Sequence, residues 1–147
     1  MSRYAFIMPC AVILAACGAG HDAEPPSPSP TTEIVSETTT DGKSWLIEVR
    51  YRPSPPPLNE HFELDVLVRP SDRVASAPVH SVSVDADMPE HGHGMNTAPV
   101  VTGQGASWTA RGMLFHMPGD WEVYVDVTGG DGRTERATFA VKLTARR

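Results

Sequence analysis

Apolar and polar residues alternate along most of the chain after residue 44. The first alternating run has its apolar residues at odd positions: Trp45, Ile47, Val49 and Tyr51. The same period of two recurs in residues 62–68, 82–86, 121–127 and 137–143. A period of two is typical of strands with one buried face, and no window favours an amphipathic helix. The pattern therefore predicts an all-β domain.

Turn-forming residues separate the alternating runs. They form four clusters, at residues 53–57, 103–105, 118–119 and 129–132, all rich in proline or glycine. Two weaker strands are predicted at 98–102 and 106–115, the second with a bulge at Gly112. The spacing predicts an immunoglobulin-like β-sandwich of about seven strands within residues 43–147.

The start of the chain is typical of an exported lipoprotein. Arg3 precedes an apolar run at 4–16 that is too short to span a bilayer. The run ends in Leu14-Ala15-Ala16-Cys17, which resembles a bacterial lipobox; the alternative is an ordinary signal peptide. Residues 1–16 are therefore expected to be a lipoprotein signal peptide, and Cys17 the lipidated residue. With Gly18 next, the resemblance implies a lipid-anchored protein of the cell envelope, in the outer membrane and facing the periplasm if the cell is Gram-negative.

Residues 17–42 are rich in Pro, Ser, Thr and Glu, and this composition predicts a flexible, disordered linker. The formal charge of -6, from 12 basic and 18 acidic residues, argues against a nucleic-acid partner. Cys10 would leave with the signal peptide and Cys17 would carry lipid. The mature domain then has no disulfide, no cysteine nucleophile and no thiolate ligand.

Candidate chemistry lies in two short segments, 88–95 and 115–119. The candidate metal ligands are His91, His93, Met95, His116 and Met117. Imidazole and thioether together suit Cu(I), and imidazole also suits Cu(II) and zinc. The alternative is a structural turn whose imidazoles bond backbone groups. Met88 and Met113 have the parity of core residues.

The strand directions predict whether the two segments meet. If 98–102 is a strand, successive strands bring both segments to one end of the sandwich. The linker would then join the domain at the opposite end, so that the His/Met cluster faces away from the membrane.

Two motifs carry a family resemblance. Asp87-Met88-Pro89 leads to Gly92-His93-Gly94-Met95, and Phe115-His116-Met117-Pro118-Gly119-Asp120-Trp121 follows. This order is similar to that of the YtkA-like family, which is related to the FixH domain. The resemblance covers residues 45–141 and implies an immunoglobulin-like fold outside the cytoplasm. FixH relatives are associated with copper-dependent cation pumps and oxidase assembly, which links the family to copper by association.

Two functions follow from the sequence as hypotheses. The first is a lipid-anchored protein that binds or delivers copper through the His/Met cluster. The second is a metal-free interaction or assembly module that contacts another envelope protein. An enzyme is not expected, because Asp87 and Glu90 lack an accompanying serine motif, cysteine nucleophile or phosphate-binding loop.

Overall fold

The computed structural model describes residues 35–71 and 77–145, and these residues form strands, turns and loops. The strands are β1 (Val35–Thr39), β2 (Trp45–Arg52), β3 (Phe62–Pro70), β4 (Val79–Met88), β5 (His93–Gly94), β6 (Val100–Gln104), β7 (Ser107–Met113), β8 (Gly119–Gly129) and β9 (Thr134–Leu143). Within these two ranges, no helix has the length and apolar character needed to cross a membrane. The predicted signal peptide, Cys17 and the linker up to residue 34 lie outside the described residues.

The strands form two antiparallel sheets that pack against each other. One sheet has the order β1-β2-β3-β7-β6, and the other has the order β5-β4-β8-β9. Without β1 and the two-residue β5, this is the strand order of a seven-stranded immunoglobulin sandwich. The predicted all-β, immunoglobulin-like β-sandwich is therefore confirmed.

The core lies between the sheets and is built from the residues that the alternation predicted to face inward. On β2 and β3 the buried residues are Trp45, Ile47, Val49, Tyr51, Phe62, Leu64, Val66 and Val68. On β4, β8 and β9 they are Val82, Val84, Ala86, Met88, Trp121, Val123, Val125, Val127, Ala137 and Phe139. Each large apolar side chain contributes about 1.5–3 kcal/mol when it is fully buried, so the two facing rows hold the sheets together.

The predicted linker, 17–42, extends too far into the chain. Its residues Val35–Thr39 form β1, which pairs antiparallel with β2. β1 is an edge strand with no buried residue, and Val35 is 46% exposed. Ladder hydrogen bonds and a 2.6 Å ion pair between Arg69 and Glu37 hold it in place. Because little apolar surface is buried, the sequence carries no strong hydrophobic pattern here.

The direction of β1 also corrects the expected attachment point of the linker. Val35 lies opposite Arg50, near the end of β2 where Arg52 pairs with Glu63. The adjoining Phe62 pairs with Met113, which lies two residues before the second His/Met segment, 115–119. The first described residue therefore lies toward the end of the sandwich that carries the candidate ligands. The expectation that the chain enters at the opposite end is wrong.

The predicted bulge at Gly112 is present. Phe62 pairs with Met113 while Glu63 pairs with Arg111, which leaves Gly112 as the extra residue in β7. Its φ of 86° lies in the left-handed region, which favours glycine. Because of the extra residue, the positions that face the core change from even to odd numbers along β7. Ala110 before the bulge and Met113 after it are both buried.

Candidate metal centre

The two predicted segments meet at one end of the sandwich. Residues 89–92 connect β4 to β5, and residues 114–118 connect β7 to β8. The ring centroids of His93 and His116 are 5.3 Å apart, and those of His91 and His93 are 5.8 Å apart. The strand-direction argument therefore holds for the histidines, because β6 is a strand and reverses the chain as expected.

A tight turn presents His91 and His93 to solvent. The carbonyl oxygen of Met88 accepts hydrogen bonds from the N–H groups of His91 and Gly92, both at 3.0 Å. Gly92 has a φ of 66°, which glycine adopts without strain. After the turn, His93 pairs with Met88 across the two-residue β5. Both residues are exposed.

The second segment is anchored on both sides. Phe115, which is fully buried, bridges Leu58, and its carbonyl oxygen accepts a 2.9 Å hydrogen bond from the N–H of Asn59. The Trp121 indole N–H donates to the carbonyl oxygen of Met117 at 3.0 Å. The backbone of His116 is therefore held in place, because both of its neighbours in the chain are anchored.

The half-buried His116 ring lies between His93 and Trp121. Its edge meets the Trp121 indole at a centroid distance of 5.4 Å and an interplanar angle of 80°. Its Nδ1 atom is buried and has no hydrogen-bond partner among the described residues. Such an unsatisfied polar atom costs about 1–3 kcal/mol. A bound metal ion is one way in which a protein satisfies an imidazole nitrogen.

The histidines continue an aromatic row that runs into the core. In spatial order its members are His91, His93, His116, Trp121, Phe115, Phe62 and Tyr51. Neighbouring rings are between 4.8 and 6.2 Å apart. Burial raises the pKa of the Tyr51 phenol at the inner end of this row. The imidazoles thus rest on a rigid, packed base, while the outer two remain open to solvent.

The candidate methionines differ in their surroundings. Met117 is 36% exposed, and its side chain lies at the surface. Met95 is half-buried against the core, and its Sδ accepts a 3.4 Å hydrogen bond from the N–H of Leu114. Met88 is fully buried, and its Cε lies where a side chain on Gly119 would collide with it. Met88 is therefore a core residue, as its parity indicated.

Asp87 is a neighbour of the histidines to which the sequence assigned no ligand role. A shallow cavity of about 230 Å³ is lined by Asp87, His93 and Tyr124, among others. The Asp87 carboxylate lies over Gly94, where no side chain would fit. In the sequence, only the alternation along β4 indicated that Asp87 faces outward, next to the inward-facing Met88. Its contact with Gly94 could not be predicted, because that contact depends on the pairing of β4 with β5.

The Tyr124 hydroxyl on the same cavity donates a 2.8 Å hydrogen bond to Glu122. This hydrogen bond, together with burial and the charges of Glu122 and Asp87, raises the pKa of Tyr124 to about 12.

The geometry sets limits on a metal site. Within residues 35–71 and 77–145, no three His, Cys, Asp or Glu side chains form a group that could hold a metal ion. Two imidazoles that share an ion through nitrogens about 2.0–2.1 Å away have ring centroids about 5–6 Å apart. The pair of His93 and His116 has this spacing. A pair of imidazoles completed by a thioether is a donor set that suits Cu(I).

A larger groove of about 480 Å³ lies on the outer face of the other sheet, on β2, β3, β6 and β7. No histidine or methionine lines it. Its charged side chains make ion pairs, with Arg50 bonded to Glu48 and Asp65 to Arg52. We therefore assign this groove no role in metal binding.

Fold and site together define a β-sandwich with a His/Met cluster at one end. Comparisons of the chain with protein-family models, curated proteins and solved structures gave no match. The resemblance to the YtkA-like family stays a prediction that rests on the two motifs.

Proposed function

We propose that this protein binds a copper ion at the end of the sandwich where residues 88–95 and 114–118 meet, and delivers it within the cell envelope. The observation that carries this proposal is the 5.3 Å spacing of the His93 and His116 rings, which come from β5 and from the connection between β7 and β8. The unpartnered Nδ1 of His116 supports it further. Cu(I) accepts low coordination numbers and soft donors, so two imidazoles and one thioether suffice.

The candidate ligands would have unequal roles. His93 and His116 form the first pair, and His91 is the nearest further imidazole to His93. Met117, which is 36% exposed, supplies a thioether next to His116 in the chain. Met95 would have to release its hydrogen bond with Leu114 before its sulfur could bind metal. We therefore expect Met117 to contribute more than Met95.

A competition titration with a Cu(I) chelator tests the proposal. The expected dissociation constant is below about 1 μM. The double variant His93→Ala/His116→Ala should bind copper at least about 100-fold more weakly. The matched control is His61→Ala/His80→Ala, which removes two exposed histidines outside the cluster. Equal affinity in both double variants would refute the proposal.

Copper affinity should also depend on pH. Imidazole binds metal only in its neutral form, so protons compete with copper under mildly acidic conditions. Affinity measured by the same titration should fall as the pH decreases below about 6. An affinity that stays constant through this range would exclude the histidines as ligands.

We further propose that Cys17 is lipidated and holds the protein on the cell envelope, in the outer membrane where one exists. The support is the Leu14-Ala15-Ala16-Cys17 sequence after the apolar run. Metabolic labelling with a fatty-acid analogue should label the wild type and Cys10→Ala, but not Cys17→Ala. Label retained in Cys17→Ala would disprove lipidation at this residue.

The second candidate function is a metal-free interaction module. It is favoured by Val100, which is 65% exposed on β6, an edge strand whose outer side is open to pairing. Capture of envelope proteins with and without a chelator separates the two functions. A partner that is retained in chelator and lost in Val100→Lys would favour the interaction module.

A further inference from the structure

The four methionines in the described part of the chain differ sharply in exposure. Met88 and Met113 are fully buried. Met95 is half-buried, and its sulfur is engaged by the N–H of Leu114. Met117 is 36% exposed. A small oxidant in solution therefore reaches Met117 first, since the rate of thioether oxidation follows exposure.

We propose that Met117 is a site of oxidation by hydrogen peroxide, and that its sulfoxide weakens copper binding. The second half of this proposal rests on the proposed function; the first half does not. In the reaction the thioether sulfur attacks one peroxide oxygen. An S–O bond forms, the O–O bond breaks, and the peroxide is reduced to water while sulfur loses two electrons.

The chemistry of the product explains the expected loss of affinity. Oxidation converts a soft, apolar thioether into a polar sulfoxide whose exposed donor is a hard oxygen atom. Cu(I) prefers soft donors, so the modified side chain is a poorer ligand. The main chain should stay in place, because Trp121 holds the Met117 carbonyl oxygen and Phe115 is anchored in the core. Oxidation would therefore act on the ligand and leave the fold intact.

The order of oxidation is measured on the metal-free, full-length protein. Samples are treated with hydrogen peroxide for increasing times and quenched, and the added oxygen is located by peptide mass mapping. Among the four methionines in the described part of the chain, Met117 should oxidise first, Met95 should follow, and Met88 and Met113 should resist until the protein is unfolded in denaturant. Oxidation of Met95 at the same rate as Met117, or faster, would overturn the proposal whatever the copper result.

The effect on copper is measured by Cu(I) competition with four proteins: wild type, Met117→Leu, Met117→Gln and Met95→Leu. Peroxide-treated wild type and untreated Met117→Gln, which mimics the polar product, should both bind at least about tenfold more weakly than untreated wild type. Met117→Leu should start weak and change little on treatment. Met95→Leu should remain peroxide-sensitive.

The outcomes separate the two proposals. If the untreated wild type binds no copper, the proposed function fails together with the affinity half of this inference, while the mass mapping still decides the oxidation half. If copper binds but treated and untreated wild type have equal affinities, only the link between Met117 and copper is overturned. Loss of binding after treatment in Met117→Leu would also overturn that link.

Discussion

His116 is well packed and its backbone is anchored, but one nitrogen of its ring is buried without a hydrogen-bond partner in the described part of the chain. Its ring packs edge-on against Trp121, and its backbone lies between two anchored residues. Its Nδ1 atom is nevertheless buried without a partner. Buried polar groups without a partner are uncommon in native structures, and functional sites are one place where they occur. The residue is therefore expected to lower the stability of the metal-free protein.

Replacing His116 with leucine should raise the free energy of unfolding of the metal-free protein by about 1 kcal/mol, because the buried polar atom is removed and the apolar contact with Trp121 is kept. Urea denaturation in the presence of a chelator measures this change. The same variant should bind copper more weakly, so stability and affinity should move in opposite directions.

His91→Leu is the matched control. Its ring is exposed, so the free energy of unfolding should change by no more than about 0.5 kcal/mol. A larger loss of stability in His116→Leu than in His91→Leu would show that the His116 ring makes a favourable polar interaction in the metal-free protein.

At the scale of a single element, the bulge in β7 determines which residues face the core just before the site. Ala110 and Met113 both face the core although they are three residues apart, because Gly112 adds an unpaired residue to the strand. Phe115 then also points inward, and the next residue, His116, is only half-buried. A regular strand would reverse these orientations.

Gly112→Ala should lower the free energy of unfolding by about 1–2 kcal/mol. The cost comes from the backbone, since φ is 86° and a Cβ at this position would meet nothing within 4 Å. Denaturant unfolding measures it. Gly130→Ala is the control, because its Cβ would make only an ordinary 3.5 Å contact with the carbonyl oxygen of Pro78. Equal losses in both variants would contradict the argument.

The elements that the sequence predicted well are those with one buried face. On β2 and β8 the apolar residues alternate from Trp45 to Tyr51 and from Trp121 to Val127, because every second side chain packs into the core. β1 shows no such alternation in its sequence, because an edge strand that is held by ladder hydrogen bonds has little need of apolar residues. Asp87 and Trp121 could not be assigned to the site, since their contacts depend on tertiary pairing that no local pattern encodes.

Across the whole molecule, the two sheets are joined at the end opposite the histidines by a polar contact as well as by the core. The carboxylate of Glu135, at the start of β9, accepts hydrogen bonds from the hydroxyls of Thr40 and Ser44 and from the Ser44 N–H. Thr40 and Ser44 flank the turn between β1 and β2, which belong to the other sheet. Gly42 in this turn leaves room for the carboxylate.

This contact should make stability depend on pH in the acidic range. Burial raises the pKa of Glu135, but the hydrogen bonds from Ser44 and Thr40 together lower it by more than burial raises it. The pKa of Glu135 therefore lies below its ordinary value. The unfolded chain therefore binds a proton more readily than the folded one. The stabilisation from Glu135 is complete above the ordinary glutamate pKa of about 4.3 and is lost as the pH falls through the lower, folded value. In urea unfolding measured across this range, Glu135→Gln should lose less stability on acidification than wild type, whereas Glu60→Gln, which removes an exposed carboxylate, should follow wild type. Parallel pH profiles for wild type and Glu135→Gln would show that the contact between the sheets does not stabilise the carboxylate form.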